Sequence, residues 1–326
     1  KKLANGFIRN GHDVINLSDR DVGKFNKSFR DFKGKSYLNT MIYETAKNYK
    51  PDLILLGHSY DIENETLERI KDYSKNTIIS QWFEDHLADT GPDFSSNRKK
   101  LLKYDDFIKS NFITTHPSTL DFLKKKNNFH YLPIPVDKNI EKLKIYENKN
   151  QICDVFFSMS HGVNRGKLKR DKVDERHNFI TDLISECPNI IFDIYGYKNR
   201  EPVWAEDFYK VIVNSKMALN LTRGKPLKYL TSNRIASLIG NGLLTFIDKK
   251  TKLNNFFNNN EVVFYSGLQD LADKINYYKS NDLSRIKIAK NGRRKYFDLF
   301  ECQKIANYII SKSFDREIPK VLKWMD

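Results

Sequence analysis

The order of apolar runs along the chain predicts an α/β fold of two doubly wound, Rossmann-like domains. Three observations carry that expectation. Short apolar runs of buried-strand type alternate with amphipathic stretches in both halves, as parallel sheets covered by helices require. The segment Pro133-Ile134-Pro135 interrupts the alternation near the middle and stiffens an extended connection. Gly, His and charged residues recur just beyond the apolar runs, where open parallel sheets bind ligands.

In the first half, residues 1–10 read as a helix with Leu3, Phe7 and Ile8 on one face, ended by Gly11-His12-Asp13. Val14 to Leu17 reads as a strand. Doubly wound sheets usually place a strand before such a helix, so a first strand is expected ahead of Lys1. Residues 19–36 are polar and Gly-containing and read as a loop. A helix follows over 37–49, then a strand over 53–58 that ends in Gly57-His58. A helix over 63–73 leads to a strand over 77–81, which runs into Trp82-Phe83-Glu84-Asp85-His86. Residues 99–104 read as helix, 107–110 and 112–115 as short strands, and Ser118 as the start of another helix. Tyr131-Leu132 closes this half. The reading gives a first domain over 1–135, a linker over 136–152, a second domain over 153–310 and a terminal helix over 311–326.

The second half repeats the pattern. A strand over 154–157 runs into Ser158 to Lys167, a Gly-containing basic loop with His161, Gly162 and Arg165. A helix over 174–187, a strand over 190–195, a turn at Gly196 and a helix over 204–214 follow. Strands over 218–221, 243–247 and 262–265 and helices over 268–280, 284–299 and 306–312 complete it. The segment from Met217 to Asp248 is the most informative. Its strand ends at a basic loop with Arg223, Gly224, Lys225 and Lys228. Ser232 and Asn233 are good N-cap types, and Arg234 lies in the first helical turn. Ile235, Leu238 and Ile239 form a packing face, and Asn241-Gly242 ends the helix. A strand end, several cations and a helix N-terminus together suit an anion such as a diphosphate. The same residues also fit a solvated basic turn in an ordinary α/β domain.

The totals set bounds. With 326 residues, 40% hydrophobic and 30% charged, the chain can bury the cores of two domains and is not bulk-disordered. A formal net charge of +15 points to acidic partners: phosphorylated substrates, anionic lipid head groups or nucleic acid. Cys153, Cys187 and Cys302 are too far apart for a disulfide framework or a CxxC metal site, and read as reduced core thiols of a cytoplasmic protein. No apolar run reaches the roughly 18 residues of a membrane span.

The strand ends of the two halves differ in chemistry. The first half offers Gly57-His58-Ser59-Tyr60-Asp61 and the Trp82–His86 run, with carboxylates and imidazoles suited to base work. Glu84, Asp85 and His86 stand as catalytic candidates, each with a reading as plain loop residues; His58 is read as a structural or hydrogen-bonding group. The second half offers Ser158, His161, Gly162, Arg165, Tyr195, Gly196, Arg223, Lys225, Lys228, Ser232, Asn233, Arg234 and Ser237, suited to a phosphorylated donor.

From Arg234 onward the pattern Arg-Ile-Ala-Ser-Leu-Ile-Gly-Asn-Gly-Leu-Leu-Thr, then Leu253, Phe256-Phe257, Glu261-Val262-Val263-Phe264-Tyr265 and Ile288-Ala289-Lys290-Asn291-Gly292-Arg293, resembles the carboxy-terminal half of the CgeB-like glycosyltransferases. These form a GT-B group related to the group 1 glycosyl transferases. The resemblance implies two Rossmann-like domains facing across a cleft, with a final helix crossing back to the first. It implies a nucleotide-sugar donor on the second domain and a glycan or lipid-linked acceptor on the first. Arg234 matches the family's arginine ahead of this helix and is assigned to the donor's phosphate or nucleotide. Related enzymes carry a ribose-binding glutamate near the position of Ser237; here that residue is Ser. GT-B enzymes generally hold no tight metal, and no cofactor is expected beyond the donor substrate. The reading is therefore a glycosyltransferase that builds a cell-surface polysaccharide or lipopolysaccharide. It would work in the cytoplasm and dock peripherally on the anionic inner membrane face. Rival readings are a nucleotide-sugar epimerase, a non-catalytic nucleotide-sugar sensor and, with no RRM, KH or helix-turn-helix signature to support it, a nucleic-acid-binding protein.

Overall fold

A computed structural model describes residues 1–91, 93–159, 175–320 and 322. The chain forms two compact units. One combines Lys1–Asp89 and Asp93–Leu132 with the chain from Cys302 onward, and the other spans Pro133–Glu301.

The first unit holds helices α1 (Lys2–Arg9), α2 (Asp19–Phe25), α3 (Lys35–Tyr49), α4 (Asn64–Tyr73) and α5 (Phe94–Leu101). Its strands are β1 (Leu53–Gly57), β2 (Ile78–Phe83), β3 (Asn111–Ile113) and β4 (Phe129–Tyr131), parallel and in sequence order across one sheet. The chain returns to this unit as α11 (Cys302–Ser313). Helix α11 lies against α1, where Phe7, Ile305, Ala306, Tyr308 and Ile309 form a buried cluster with Phe112 of β3. The expected strand at Val14–Leu17 is absent: these residues pair with no neighbouring strand, and Ile15 and Leu17 are exposed. The expected loop over 19–36 contains α2, whose N-terminus is capped by Ser18. The stretch from 107 to 115 yields the single strand β3, and the helix expected from Ser118 is two 3₁₀ turns, Pro117–Thr119 and Asp121–Leu123.

The second unit carries β5 (Cys153–Ser158), α6 (Glu175–Glu186), β6 (Phe192–Tyr195), α7 (Ala205–Ile212), β7 (Ser215–Asn220), α8 (Asn233–Gly240), β8 (Leu244–Asp248), β9 (Val263–Tyr265), α9 (Leu268–Ser280) and α10 (Asp282–Phe300). Its parallel sheet runs β6-β5-β7-β8-β9. Strand order therefore reverses between β5 and β7, which in a doubly wound sheet opens a crevice beyond the strands' carboxyl ends. The central strands are continuous apolar runs because helices cover both faces. On one face Val155, Phe157, Met217, Leu219, Leu244 and Phe246 pack against Ile180, Leu183, Leu271 and Ile275. On the other, Phe156 and Ala218 meet Ile212 and Leu238. The segment read as a linker, 136–152, is packed into this unit: Val136, Asp137, Glu141 and Ile145 are fully buried. The Ile145 N–H donates to the Asn241 carbonyl at 2.7 Å and the Val136 N–H to that of Phe300 at 3.0 Å.

Candidate functional site

In the second unit the crevice is bounded by Ser158 at the end of β5 and Asn220 at the end of β7. Helix α8 begins just beyond. Ser232 is its N-cap, with its hydroxyl accepting from the Ile235 N–H at 3.4 Å, and the packing face of Ile235, Leu238 and Ile239 is buried. That packing holds the first turn, and Arg234 with it. The Arg234 guanidinium stands over the Phe157 ring at 4.9 Å from its centroid, and Nη1 donates to the Leu221 carbonyl at 2.8 Å. One side chain thus spans the ends of β5 and β7, at the reversal of strand order. Asn220 is buried beside it, its amide oxygen without a hydrogen-bond partner among the described residues. Such an orphaned polar atom at a strand end is costly unless something completes it.

The remaining donor-side candidates distribute as follows. Ser158 and the following Met159 are buried, and the Met159 N–H donates to the Tyr195 carbonyl at 3.1 Å. Gly196 turns the chain away with φ of +72°, and a side chain there would meet the Met159 carbonyl oxygen at 2.1 Å. Tyr195 lies under the Arg200 guanidinium at 3.7 Å; burial and then the nearby Asp193 charge push its hydroxyl up. Arg223 is half-buried, Lys225 is exposed, and Lys228 lies over the Tyr229 ring at 4.9 Å. Asn233 is exposed in the first turn of α8. Ser237 lies apart from these cations. It is buried, and its hydroxyl donates at 3.5 Å to Glu141, a fully buried residue whose carboxylate also takes the Asp137 N–H at 2.8 Å. His161, Gly162 and Arg165 lie outside the described residues.

In the first unit the candidates gather at the carboxyl ends of β1 and β2. The centre of the group is His58, which the sequence reading treated as structural. Its backbone is in the left-handed region with φ of +54°, a strained conformation for a residue with a side chain. Its ring stacks on Phe83 at 4.7 Å and meets the edge of Trp82 at 5.5 Å. Nε2 accepts the Glu84 N–H at 3.3 Å, so in the neutral ring the proton sits on Nδ1. Nδ1 faces the Tyr60 hydroxyl and, at 3.7 Å, Oδ2 of Asp85. Burial lowers the His58 pKa; Asp85 opposes that shift, while Arg20 and Lys100 add to it. Burial and the Asp85 charge push the Tyr60 hydroxyl well above its ordinary value. Asp85 itself is 50% exposed. His58 therefore steadies the acidic loop from within, with the Asp85 carboxylate beside it and half exposed. Glu84 is half-buried, and its carbonyl accepts from Thr114 Oγ1 at 3.1 Å. His86 is half-buried, its carbonyl tied to Asn97 Nδ2 at 3.0 Å. The signal that marks His58 is conformational and invisible in residue types. That for Asn220 was legible: a polar residue ending an apolar strand.

Among the described residues no group of three or more His, Cys, Asp or Glu side chains is arranged to hold a metal. None of their helices is long and apolar enough to cross a membrane.

Fold and crevice together define the class by architecture: an α/β protein of two Rossmann-like units, similar in fold to GT-B structures. Residues 173–311 match the glycosyl transferase-like family. Among solved structures, Anabaena HepE in complex with UDP aligns at 13% identity and a TM-score of 0.58, covering 86% of this chain and 82% of that one. A glycosyltransferase from Rickettsia africae aligns at 14% identity and 0.56, covering 99% and 93%. Sucrose-phosphate synthase from Thermosynechococcus elongatus aligns at 10% identity and 0.56, covering 95% and 90%. No curated protein matches the chain.

Proposed function

We propose that the chain transfers a sugar from a nucleoside-diphosphate donor to a hydroxyl of a cell-surface glycan or lipid-linked acceptor. The observation that carries this reading is Arg234, fixed by Phe157 and the Leu221 carbonyl at the β5/β7 crevice. A guanidinium is a planar fork of donors that matches phosphate oxygens, and the start of α8 adds its N–H groups. Arg223 and Lys225, on the loop that follows β7, are the further cations this reading assigns to the donor. HepE, similar in fold, has been solved with UDP-glucose, so uridine nucleotides are the first donors to test.

In the reaction the acceptor oxygen bonds to the sugar's anomeric carbon. The bond from that carbon to the diphosphate oxygen breaks, and the diphosphate leaves with the electron pair. Arg234 and its neighbours stabilise the charge that develops there. The acceptor proton goes to Asp85, held by His58, if configuration inverts; a retaining reaction leaves it with the departing phosphate. The reading assigns the leaving-group charge to these cations and needs no resident metal. It sets the chain at work in the cytoplasm, against an anionic inner membrane face.

The test is calorimetric titration with UDP, UDP-glucose and the corresponding guanosine and adenosine compounds. Saturable binding of one nucleoside diphosphate series supports the reading. Silence across all of them ends it.

A further inference from the structure

The first unit carries a surface that the reaction does not use. From the last turn of α2 to the start of α3 the chain runs Lys24-Phe25-Asn26-Lys27-Ser28-Phe29-Arg30-Asp31-Phe32-Lys33-Gly34-Lys35. Phe25, Phe29 and Phe32 are 79%, 89% and 73% exposed, and Lys24, Lys27, Arg30 and Lys33 around them are exposed too. Isolated exposed apolar residues need no explanation; three phenylalanines within eight residues do.

This is not a frayed segment. Helix α2 buries only Gly23, whose carbonyl lies against Gly34, so the chain folds back on itself without an apolar core. The N–H and carbonyl groups of Ser28 and Asp31 pair at 3.0 and 3.1 Å. The Asp31 carboxylate accepts from the N–H groups of Lys35 at 3.0 Å and Ser36 at 2.8 Å. The acidic side chain is thus turned into the turn's own hydrogen bonds. The Phe29 and Phe32 rings meet at 6.0 Å, and the cations flank them outside.

We infer that residues 24–35 are a docking surface for an anionic lipid bilayer. The three rings enter the boundary between head groups and acyl chains, and Lys24, Lys27, Arg30 and Lys33 contact lipid phosphates. Charge complementarity selects this occupant. A second copy of the chain would bring the same four cations together, whereas anionic head groups neutralise them. The surface also adjoins the candidate acceptor groups. Lys35 pairs with Asp61 beyond β1 at 2.8 Å, and the Arg20 charge on α2 acts on His58. A lipid-borne hydroxyl would therefore arrive beside Asp85. The inference extends the membrane-facing part of the function proposed above, and vesicle binding is read without any sugar transfer, so either can fail alone.

The test is flotation with vesicles of phosphatidylcholine alone and of phosphatidylcholine mixed with phosphatidylglycerol, at low and high salt. The protein is expected to float with the anionic vesicles only, and less at high salt. The triple variant Phe25→Ser, Phe29→Ser, Phe32→Ser should weaken that binding by at least about tenfold, as should Lys27→Gln, Arg30→Gln, Lys33→Gln. Both should keep the parent's melting temperature, because the altered side chains are exposed. Three results would overturn the inference: no binding to anionic vesicles, unchanged binding by the phenylalanine variant, or conversion of a dimer to a monomer by that variant. Retention of single-stranded RNA through the same residues, without vesicle binding, would overturn it as well.

Discussion

The contacts of Arg234 with the Phe157 ring and the Leu221 carbonyl make a substitution there informative. Arg234→Ala should cost about 2–3 kcal/mol of nucleoside diphosphate binding, the range of a charge-assisted hydrogen bond. Arg234→Lys should recover little, because an ammonium cannot hold the Leu221 carbonyl and a phosphate in one plane. Calorimetry on both variants checks this. His58 is tested through pH. Its folded pKa lies below the ordinary 6.5, so folding favours the neutral ring. The stability this contributes is present above the unfolded value and is lost as pH falls through the folded one. The melting temperature should therefore drop as pH falls below 6.5, and a His58→Gln variant should show a shallower decline. Differential scanning fluorimetry across that range reads the slope. Arg234 was legible in the sequence because its neighbours, Ser232 and the Ile235, Leu238, Ile239 face, announce a helix start. The role of His58 was not, because it depends on a positive φ and on where Glu84 aims its N–H.

At the scale of elements, the second sheet was the easier to read. Strands covered on both faces carry apolar runs, and β5 and β7 carry them at Val155–Phe157 and Met217–Leu219. The failures have physical causes. Val14–Leu17 has strand-forming residues but no pairing edge, and Pro117 and Leu120 belong to turns too tight for an α-helix. Helix α2 was hidden because it buries no apolar face, so no periodicity marks it. The pairing of α1 with α11 gives a direct test. A Cβ at Gly6 would come within 2.2 Å of the Cys302 carbonyl oxygen and 3.2 Å of the Ala306 Cβ, neither of which is the movable end of a flexible side chain. Gly6→Ala should force the helices apart and cost about 2 kcal/mol, as overpacking does. A denaturant melt checks it, and Ala4→Ser, on the same helix, should cost less than half as much.

For the whole molecule, the pattern of alternation specified two doubly wound units, while the boundaries between them were set by packing that composition does not show. The polar run after Pro135 reads as a tether, yet Asp137 and Glu141 are buried because they bond to one another and to Ser237. The +15 charge and the run of Phe and cations over 24–33 were visible at once; that all three rings stand exposed appears only in the fold. The proposed reaction carries one expectation at this scale. A chelator such as EDTA should leave the rate of sugar transfer unchanged, measured by release of nucleoside diphosphate; loss of turnover that added Mg²⁺ restores would reassign the leaving-group charge to a metal.

The return of the chain at Cys302 has a consequence for biogenesis. The first unit is built from two stretches separated by the whole second unit, and its buried seam between Phe7 and Ile305–Ile309 cannot close until α11 has left the ribosome. The second unit is continuous and is complete earlier. Of the two units, the one begun earlier is therefore completed later, and until then it waits with an open hydrophobic flank that the distant α11 covers.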